Sequence, residues 1–228
     1  MDFYKSFLEL KLVVRSNLKE VLRLRNKRMS KEDKSFVTEG DLLINKWVKE
    51  IFEKNIQQYH FVSEETDSHM ETEAEGVTIV LDPIDGTENF TSGLPEWGIS
   101  LSCYNDGVHC ASMLACPEMD IWICSGDVVE KNYSRIRGLS SSLSMDELIK
   151  ATQGHEYRIL GCCVYNMINV IRGSYLSFEN PKGANSWDIL AGLNLALEND
   201  LIVMVNGKHY NGEYLQPNRK YKFKVENR

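Results

Sequence analysis

Apolar side chains recur at helical spacing from the first residues of the chain. Phe7, Leu8, Leu10, Leu12, Val13, Val14, Leu18, Val21 and Leu22 predict an amphipathic helix. Leu42, Leu43, Ile44, Trp47, Val48, Ile51 and Phe52 predict a second helix over Asp41 to Ile56. The pattern then changes to short runs. His60-Phe61-Val62 is a strand candidate, and Val77-Thr78-Ile79-Val80-Leu81 reads as a buried, β-branched strand. A polar, acidic loop from Asp67 to Gly76 separates them. Trp97 to Cys103, Val108 to Cys116 and Ile121 to Cys124 follow as strands. Asn105-Asp106-Gly107 and Pro117-Glu118-Met119-Asp120 punctuate them as turns, which predicts an antiparallel meander.

The second half is less regular. Ser140 to Ser144 reads as a serine-rich loop between lobes. Asp146 to Thr152 predicts a short helix, with Ser144 or Asp146 near its N-cap. Met167 to Ile171 belongs to another helical stretch, and Asp188 to Glu198 begins a further one. The tail, with Asn206-Gly207 and alternating Tyr221, Phe223 and Val225, reads as strands. The whole is mixed α/β without an internal repeat.

At 228 residues, 43% hydrophobic and 26% charged, the chain can build one large domain or two packed lobes. No window approaches the roughly 18 apolar residues of a membrane span. Met1-Asp2-Phe3-Tyr4-Lys5 lacks signal-peptide features. The cysteines at 103, 110, 116, 124, 162 and 163 form no C-x-x-C pair and no zinc spacing with the histidines. A reducing cytoplasm is therefore the expected location. A net charge of −7 argues against a nucleic-acid partner. The start of the chain is the exception. Lys5, Lys11, Arg15, Lys19, Arg23, Arg25, Lys27, Arg28 and Lys31 outnumber its acids, forming either a docking face for an acidic partner or a solvated helix face.

Candidate chemistry begins at Asp82-Pro83-Ile84-Asp85-Gly86-Thr87, directly after a predicted strand. Carboxylates three residues apart across a Pro-initiated turn can meet on one hard cation together with an intervening carbonyl. Gly86 and Thr87 can offer N–H groups and a hydroxyl to a phosphate. An Asp-rich turn is the plain alternative. Glu64-Glu65 ends another strand-like segment, Asp188 opens a helix, and Asp41 stands three residues after Thr38. Taken singly, these read as a solvated loop pair and two helix caps.

Together they resemble something more specific. In order and spacing, Glu64-Glu65, Asp82 to Phe90 and Trp187-Asp188-Ile-Leu-Ala-Gly192 resemble three signature segments of the inositol monophosphatase family. Thr38-Glu39-Gly40-Asp41 matches the preceding T-x-x-D element, and Arg158 to Cys163 resembles the segment that walls the substrate pocket. The likeness runs from about Thr38 to Glu198. It implies a layered α-β-α-β-α sandwich forming a single two-lobed domain. An antiparallel lobe over about 1–138 would carry the metal motif, and a smaller α/β lobe over about 139–228 would contribute Asp188.

The resemblance also implies a Mg²⁺-dependent, lithium-sensitive phosphomonoesterase using two to three ions. Glu64, Asp82 and the Ile84 carbonyl would hold one ion. Asp82, Asp85 and Asp188 would hold the second, and the third would sit near Glu64. Without metal, each close carboxylate pair repels by about 1–4 kcal/mol. Asp41 and Thr87 would form a carboxylate–hydroxyl pair that deprotonates the attacking water. Gly86, Thr87, Gly161, Cys162 and Cys163 would contact phosphate and substrate. Relatives are commonly homodimers, so a second copy is an expected partner.

The implied substrate is a small phosphorylated metabolite, a polyol or sugar phosphate. Glu88-Asn89-Phe90 resembles the inositol-phosphatase version, whereas Pro95-Glu96-Trp97-Gly98 is nearer to histidinol-phosphate phosphatases. A 3′(2′),5′-bisphosphate nucleotidase is a further alternative. The chain departs from the family by its shorter second half. Asn180 to Ser186 aligns poorly, leaving Glu179 an uncertain substrate contact, and Asn199-Asp200 replaces a Gly-Gly pair. Haloacid-dehalogenase-type phosphatases also carry Asp-Gly-Thr, but with aspartates two residues apart and no Pro between them. A non-catalytic interaction protein would have no physical need for clustered acids.

Overall fold

Asp2 starts the first helix by accepting the Lys5 N–H at 3.0 Å, and α1 runs from Phe3 to Arg23. A computed structural model describes residues 2–30, 36–66, 75–152 and 156–228. Most of the expected acidic loop, Asp67 to Gly76, lies outside the described residues, as does Lys31. On α1 the buried apolar side chains are Phe3, Phe7, Leu10, Val14 and Val21. Leu8 and Leu12, which the apolar pattern assigned to the inner stripe, are instead 58% and 55% exposed. They follow Tyr4 at intervals of four and so lie along a different face from Phe7, Leu10 and Val14.

β1 (Arg28–Ser30) pairs antiparallel with β2 (Phe36–Thr38), which leads into α2 (Glu39–Asn55). The helix begins two residues before the expected Asp41 because Thr38 is its cap. The Thr38 hydroxyl accepts the Gly40 and Asp41 N–H groups, and the Asp41 carboxylate returns a bond to the Thr38 N–H. β3 (His60–Ser63), β4 (Val77–Asp85), the short α3 (Thr87–Thr91), β5 (Gly98–Asn105), β6 (Val108–Cys116) and β7 (Ile121–Cys124) follow. They form a five-stranded sheet in the order β3-β4-β5-β6-β7, parallel between β3 and β4 and antiparallel elsewhere. The meander read from the turn signals is therefore β5 to β7.

The next elements are β8 (Arg137–Leu139), α4 (Met145–Ala151), β9 (Tyr157–Arg158), α5 (Cys163–Ile171), β10 (Ser177–Ala184) and α6 (Ser186–Glu198). β11 (Ile202–Val205), β12 (Lys208–His209) and β13 (Tyr221–Glu226) complete a six-stranded sheet, ordered β12-β11-β13-β10-β8-β9. β8, β9 and β10 were not evident from the pattern. β10 carries Pro181 and Gly183 within Ser-Phe-Glu-Asn-Pro-Lys-Gly-Ala, and its pairing with β13 is irregular between Asn180 and Ala184.

Layers stack on both sheets. α1 and α2 cover one face of the five-stranded sheet with Phe7, Leu10, Ile44 and Phe52 against Ile79, Leu81, Ile99 and Leu101. α5 and α6 cover the other face. α6 touches β4, β5 and β6 on one side and β11 and β13 on the other, which is why it is apolar all round. Gly192 permits the close α5–α6 approach, since a Cβ there would stand 2.6 Å from Met167 Cγ. None of the residues of α4 is buried. The six cysteines are free thiols, and no helix among the described residues is long and apolar enough to cross a membrane.

Candidate active site

Asp82 to Asp85 are the last four residues of β4, and Gly86-Thr87 leaves its end into α3. Asp82 lies opposite Ser100 and Asp85 opposite Gly98, so β4 spends one more residue than β5 between these pairs. Such a bulge re-aims side chains. Pro83 sits within it, where a lost N–H matters least. Asp82 is 1% exposed, and its Oδ1 accepts the Ile84 N–H at 3.1 Å. Gly86 then turns the chain with φ +79°, and a Cβ there would stand 2.9 Å from Cys162 Cβ. α3 starts at Thr87, whose hydroxyl donates to the Ile84 carbonyl at 3.1 Å.

Other elements bring the remaining acids alongside. Glu64 follows β3, and its N–H donates to the Leu81 carbonyl at 3.2 Å, fixing it beside β4. Asp188 stands in the first turn of α6, where it accepts the Asn185 N–H at 2.8 Å. Asp85 reaches to the start of α5. There it accepts the Cys162 S–H at 3.0 Å and the Val164 N–H. Glu64, Asp82, Ile84, Asp85, Gly86, Thr87, Gly161, Cys162, Cys163 and Asp188 all line one cavity of about 260 Å³.

Asp41 is the exception. It is fully buried and does not line the cavity. Its Oδ2 accepts the Thr38 N–H at 2.7 Å and the Thr38 hydroxyl at 2.5 Å, while Oδ1 has no partner. The expected Asp41–Thr87 pair is therefore not formed. Helix capping engages one group and the Ile84 carbonyl the other.

Burial dominates the electrostatics. It pushes the Asp82 carboxyl well above its ordinary range, and Glu64, Asp85, Asp188 and Asp41 push it further. Asp188 is raised by burial, Asp85 and Glu64, with partial relief from the Asn185 N–H and Lys220. Asp85 rises to about 6 through burial, against the opposing bonds from Cys162 and Val164. Asp41 rises to about 7, again through burial, despite the Thr38 bonds. Burial and the nearby acids also hold Cys162 and Cys163 as neutral thiols.

Such a set of oxygen donors matches a hard dication, which would remove the repulsion that raises these carboxyls. Among the described residues, no three acidic, cysteine or histidine side chains already stand at metal-ligating distances. The bonds of Asp85 and Asp188 to helix-start N–H groups account for part of that spacing, because each directs a carboxylate oxygen to backbone.

Several cavity residues carried no sequence signal. The serine-rich composition of Ser140 to Ser142 predicts only a loop. Asn166, Phe178 and Lys220 stand in no motif, and Asn180 falls in the poorly aligning Asn180–Ser186 segment. Asn166 donates through Nδ2 to the Cys162 carbonyl at 2.7 Å, and its buried Oδ1 has no partner. Glu179 does not line the cavity, whereas its neighbours Phe178 and Asn180 do, as strand alternation requires.

Comparison with known proteins bears on this geometry. The sequence pattern of the inositol monophosphatase family matches residues 3–200. A Thermotoga maritima protein named fructose-1,6-bisphosphatase/inositol-1-monophosphatase is 29% identical over 151 residues, 58% of this chain and 58% of that protein. A Salmonella typhimurium Nus factor SuhB is 28% identical over 124 residues, 54% of this chain and 46% of its own length. The aligned segment thus spans only about half the length of these curated relatives. In fold, a Thermotoga maritima IMPase structure superposes with a TM-score of 0.80 at 22% identity, covering 99% of this chain and 92% of its own. An IMPase/NADP phosphatase complexed with NADP and Ca²⁺ gives 0.82 at 19%, covering 99% and 90%. The chain belongs to the inositol monophosphatase family.

Proposed function

We propose that the protein is a divalent-cation-dependent phosphomonoesterase acting on a small hydroxylated phosphate ester. The observation that carries this reading is the convergence of Glu64, Asp82, Asp85 and Asp188, from separate elements, on one cavity beside the start of α3. Glu64, Asp82, Asp85, Asp188 and the Ile84 carbonyl would hold two to three Mg²⁺ ions. When bound, these would lower the pKa of a water and offset charge on the phosphoryl oxygens.

The chain's own groups do the rest. Gly86 supplies no side-chain cap to α3, so its first N–H groups, with that of Thr87, face the phosphate. Thr87 holds the Ile84 carbonyl in place through its hydroxyl. Asp41, raised to about 7 behind the cavity wall, would take up a proton only by exchanging its Thr38 hydroxyl bond for one to Thr87. The water oxygen bonds to phosphorus as the bond to the leaving alcohol oxygen breaks, and that oxygen takes a proton. No covalent phosphoenzyme is required. The Ser140, Ser141 and Ser142 side chains on the cavity wall favour a leaving group that carries hydroxyls, hence a polyol or sugar phosphate. Histidinol phosphate and nucleoside bisphosphates are the alternatives. The free thiols fit a reducing cytoplasm. Homodimerisation belongs to the same proposal.

Relatives named as Nus factors make a non-catalytic role the competing reading. Phosphate release decides between them. A panel of sugar, polyol, histidinol and nucleoside bisphosphates with Mg²⁺ should show turnover that EDTA abolishes. No cation-dependent turnover on any member would sink the phosphatase reading.

A further inference from the structure

Lys220 is the only basic side chain on the cavity wall among the described residues. The fold sets it there. β10 is irregular between Asn180 and Ala184, and Ala184 resumes pairing opposite Tyr221. This brings Gly183 against Lys220, whose Cβ would lie 3.3 Å from a Cβ built on Gly183. The same strand leads directly into α6 and Asp188.

The ammonium is not committed elsewhere. Two other lysines of this sheet are paired, Lys182 with Glu147 at 3.0 Å and Lys224 with Glu226 at 2.6 Å. Lys220 is exposed and makes no hydrogen bond or ion pair among the described residues, acting on Asp188 only through space. A lysine whose role was to neutralise the acids would be drawn into contact with them. The wall it shares, beyond the four acids, is neutral. Ser140 and Ser142 bond one another at 2.8 Å, leaving the exposed Ser141 hydroxyl free to donate. Once two dications offset the four carboxylates, Lys220 is the one basic side chain on a wall that also carries the Ser140–Ser142 hydroxyls, among the described residues.

We infer that Lys220, with the Ser140–Ser142 loop, holds a second anionic group on the leaving-alcohol side of the substrate. The inference rests on the phosphomonoesterase reading of the cavity. It makes Lys220 a specificity-determining residue for esters whose alcohol part bears a carboxylate or another phosphate. An uncharged tail of the same size leaves the ammonium without a partner.

Three probes sharing a three-carbon skeleton test it: glycerol 3-phosphate, 3-phosphoglycerate and propane-1,3-diyl bisphosphate. The wild-type protein should prefer the two probes that carry a second anionic group. Lys220→Met should lower that preference, measured as a ratio of kcat/KM values, roughly five- to tenfold, mainly through KM. Lys220→Glu should lower it further. Added salt should weaken the preference in the wild type more than in the variants. Binding of the same probes in Ca²⁺ by calorimetry gives a readout without turnover.

Equal losses on all three probes would overturn the inference, because Lys220 would then act only through Asp188. Absence of any preference in the wild type would overturn it too. If the wild type discriminates in binding but hydrolyses no ester, the anion site stands and the phosphatase reading falls.

Discussion

Without divalent cations, the protein should lose stability as the pH rises, opposite to the usual behaviour of paired carboxylates. The perturbation is EDTA treatment followed by a shift from about pH 5 to about pH 8. Asp41 moves from an ordinary value of 3.8 to about 7 on folding, and Asp85 from 3.8 to about 6. A carboxyl with a raised folded pKa binds its proton more tightly in the native state. Its contribution is fully present below about pH 4, then fades as the pH climbs through the folded value. At about 1.4 kcal/mol for each pH unit, the part of the displacement above pH 5, about two units for Asp41 and about one for Asp85, costs about 3 kcal/mol and about 1.4 kcal/mol. Protonating one acid relieves its neighbours, so the two do not add, and a net loss of about 3–4 kcal/mol is expected. For a chain of 228 residues that is a fall in Tm of about 6–16 °C. Glu147, held down to about 2 by its bonds to Ser144, titrates below this window and does not mask it.

Thermal and urea unfolding at the two pH values measure the effect. Mg²⁺ at the higher pH should restore the loss, since a ligand that binds only the native state stabilises it by mass action. A metal-free protein as stable at pH 8 as at pH 5, with no response to Mg²⁺, would refute the account of the acid cluster.

Asp82→Asn should abolish cation-dependent turnover while raising the metal-free Tm, because it removes the charge that four other acids repel. Substantial activity in this variant would end the assignment of Asp82 as a ligand. Gly98→Ala should destabilise by about 2–3 kcal/mol in urea unfolding, since its Cβ would fall 2.3 Å from Val164 Cγ1 and 2.6 Å from the Ala115 carbonyl. An unchanged midpoint would mean β5 and α5 pack less closely than described. Lithium should inhibit Mg²⁺-supported phosphate release, and indifference to it would separate this chain from the behaviour its family resemblance implies.

Much of the site was readable along the chain. Asp82-x-x-Asp85-Gly86-Thr87, Glu64 and Asp188 could be picked out because each sits at an element boundary that local chemistry marks: a strand end, a loop, a helix cap. The meander and the helices were legible for the same reason, since period, turns and caps are short-range free energies. β10 was not, because a segment with Pro181 and Gly183 becomes a strand only through partners on β13 and β8.

Other decisions belonged to the tertiary structure alone. Thr38 and Asp41 form a local capping box, yet only packing shows that Asp41 Oδ1 is left buried without a donor. The bulge between Asp82 and Asp85 exists only as a register against β5. Ser141, Asn166 and Lys220 carry nothing in their neighbours that marks them as cavity residues. They meet because sheet order and the β10 irregularity bring distant segments to one wall. Local sequence sets which residue types stand at element ends, because those preferences act over a few residues. Which of those ends face each other depends on how two sheets and their shared helix layer bury apolar surface, and that is a property of the whole chain.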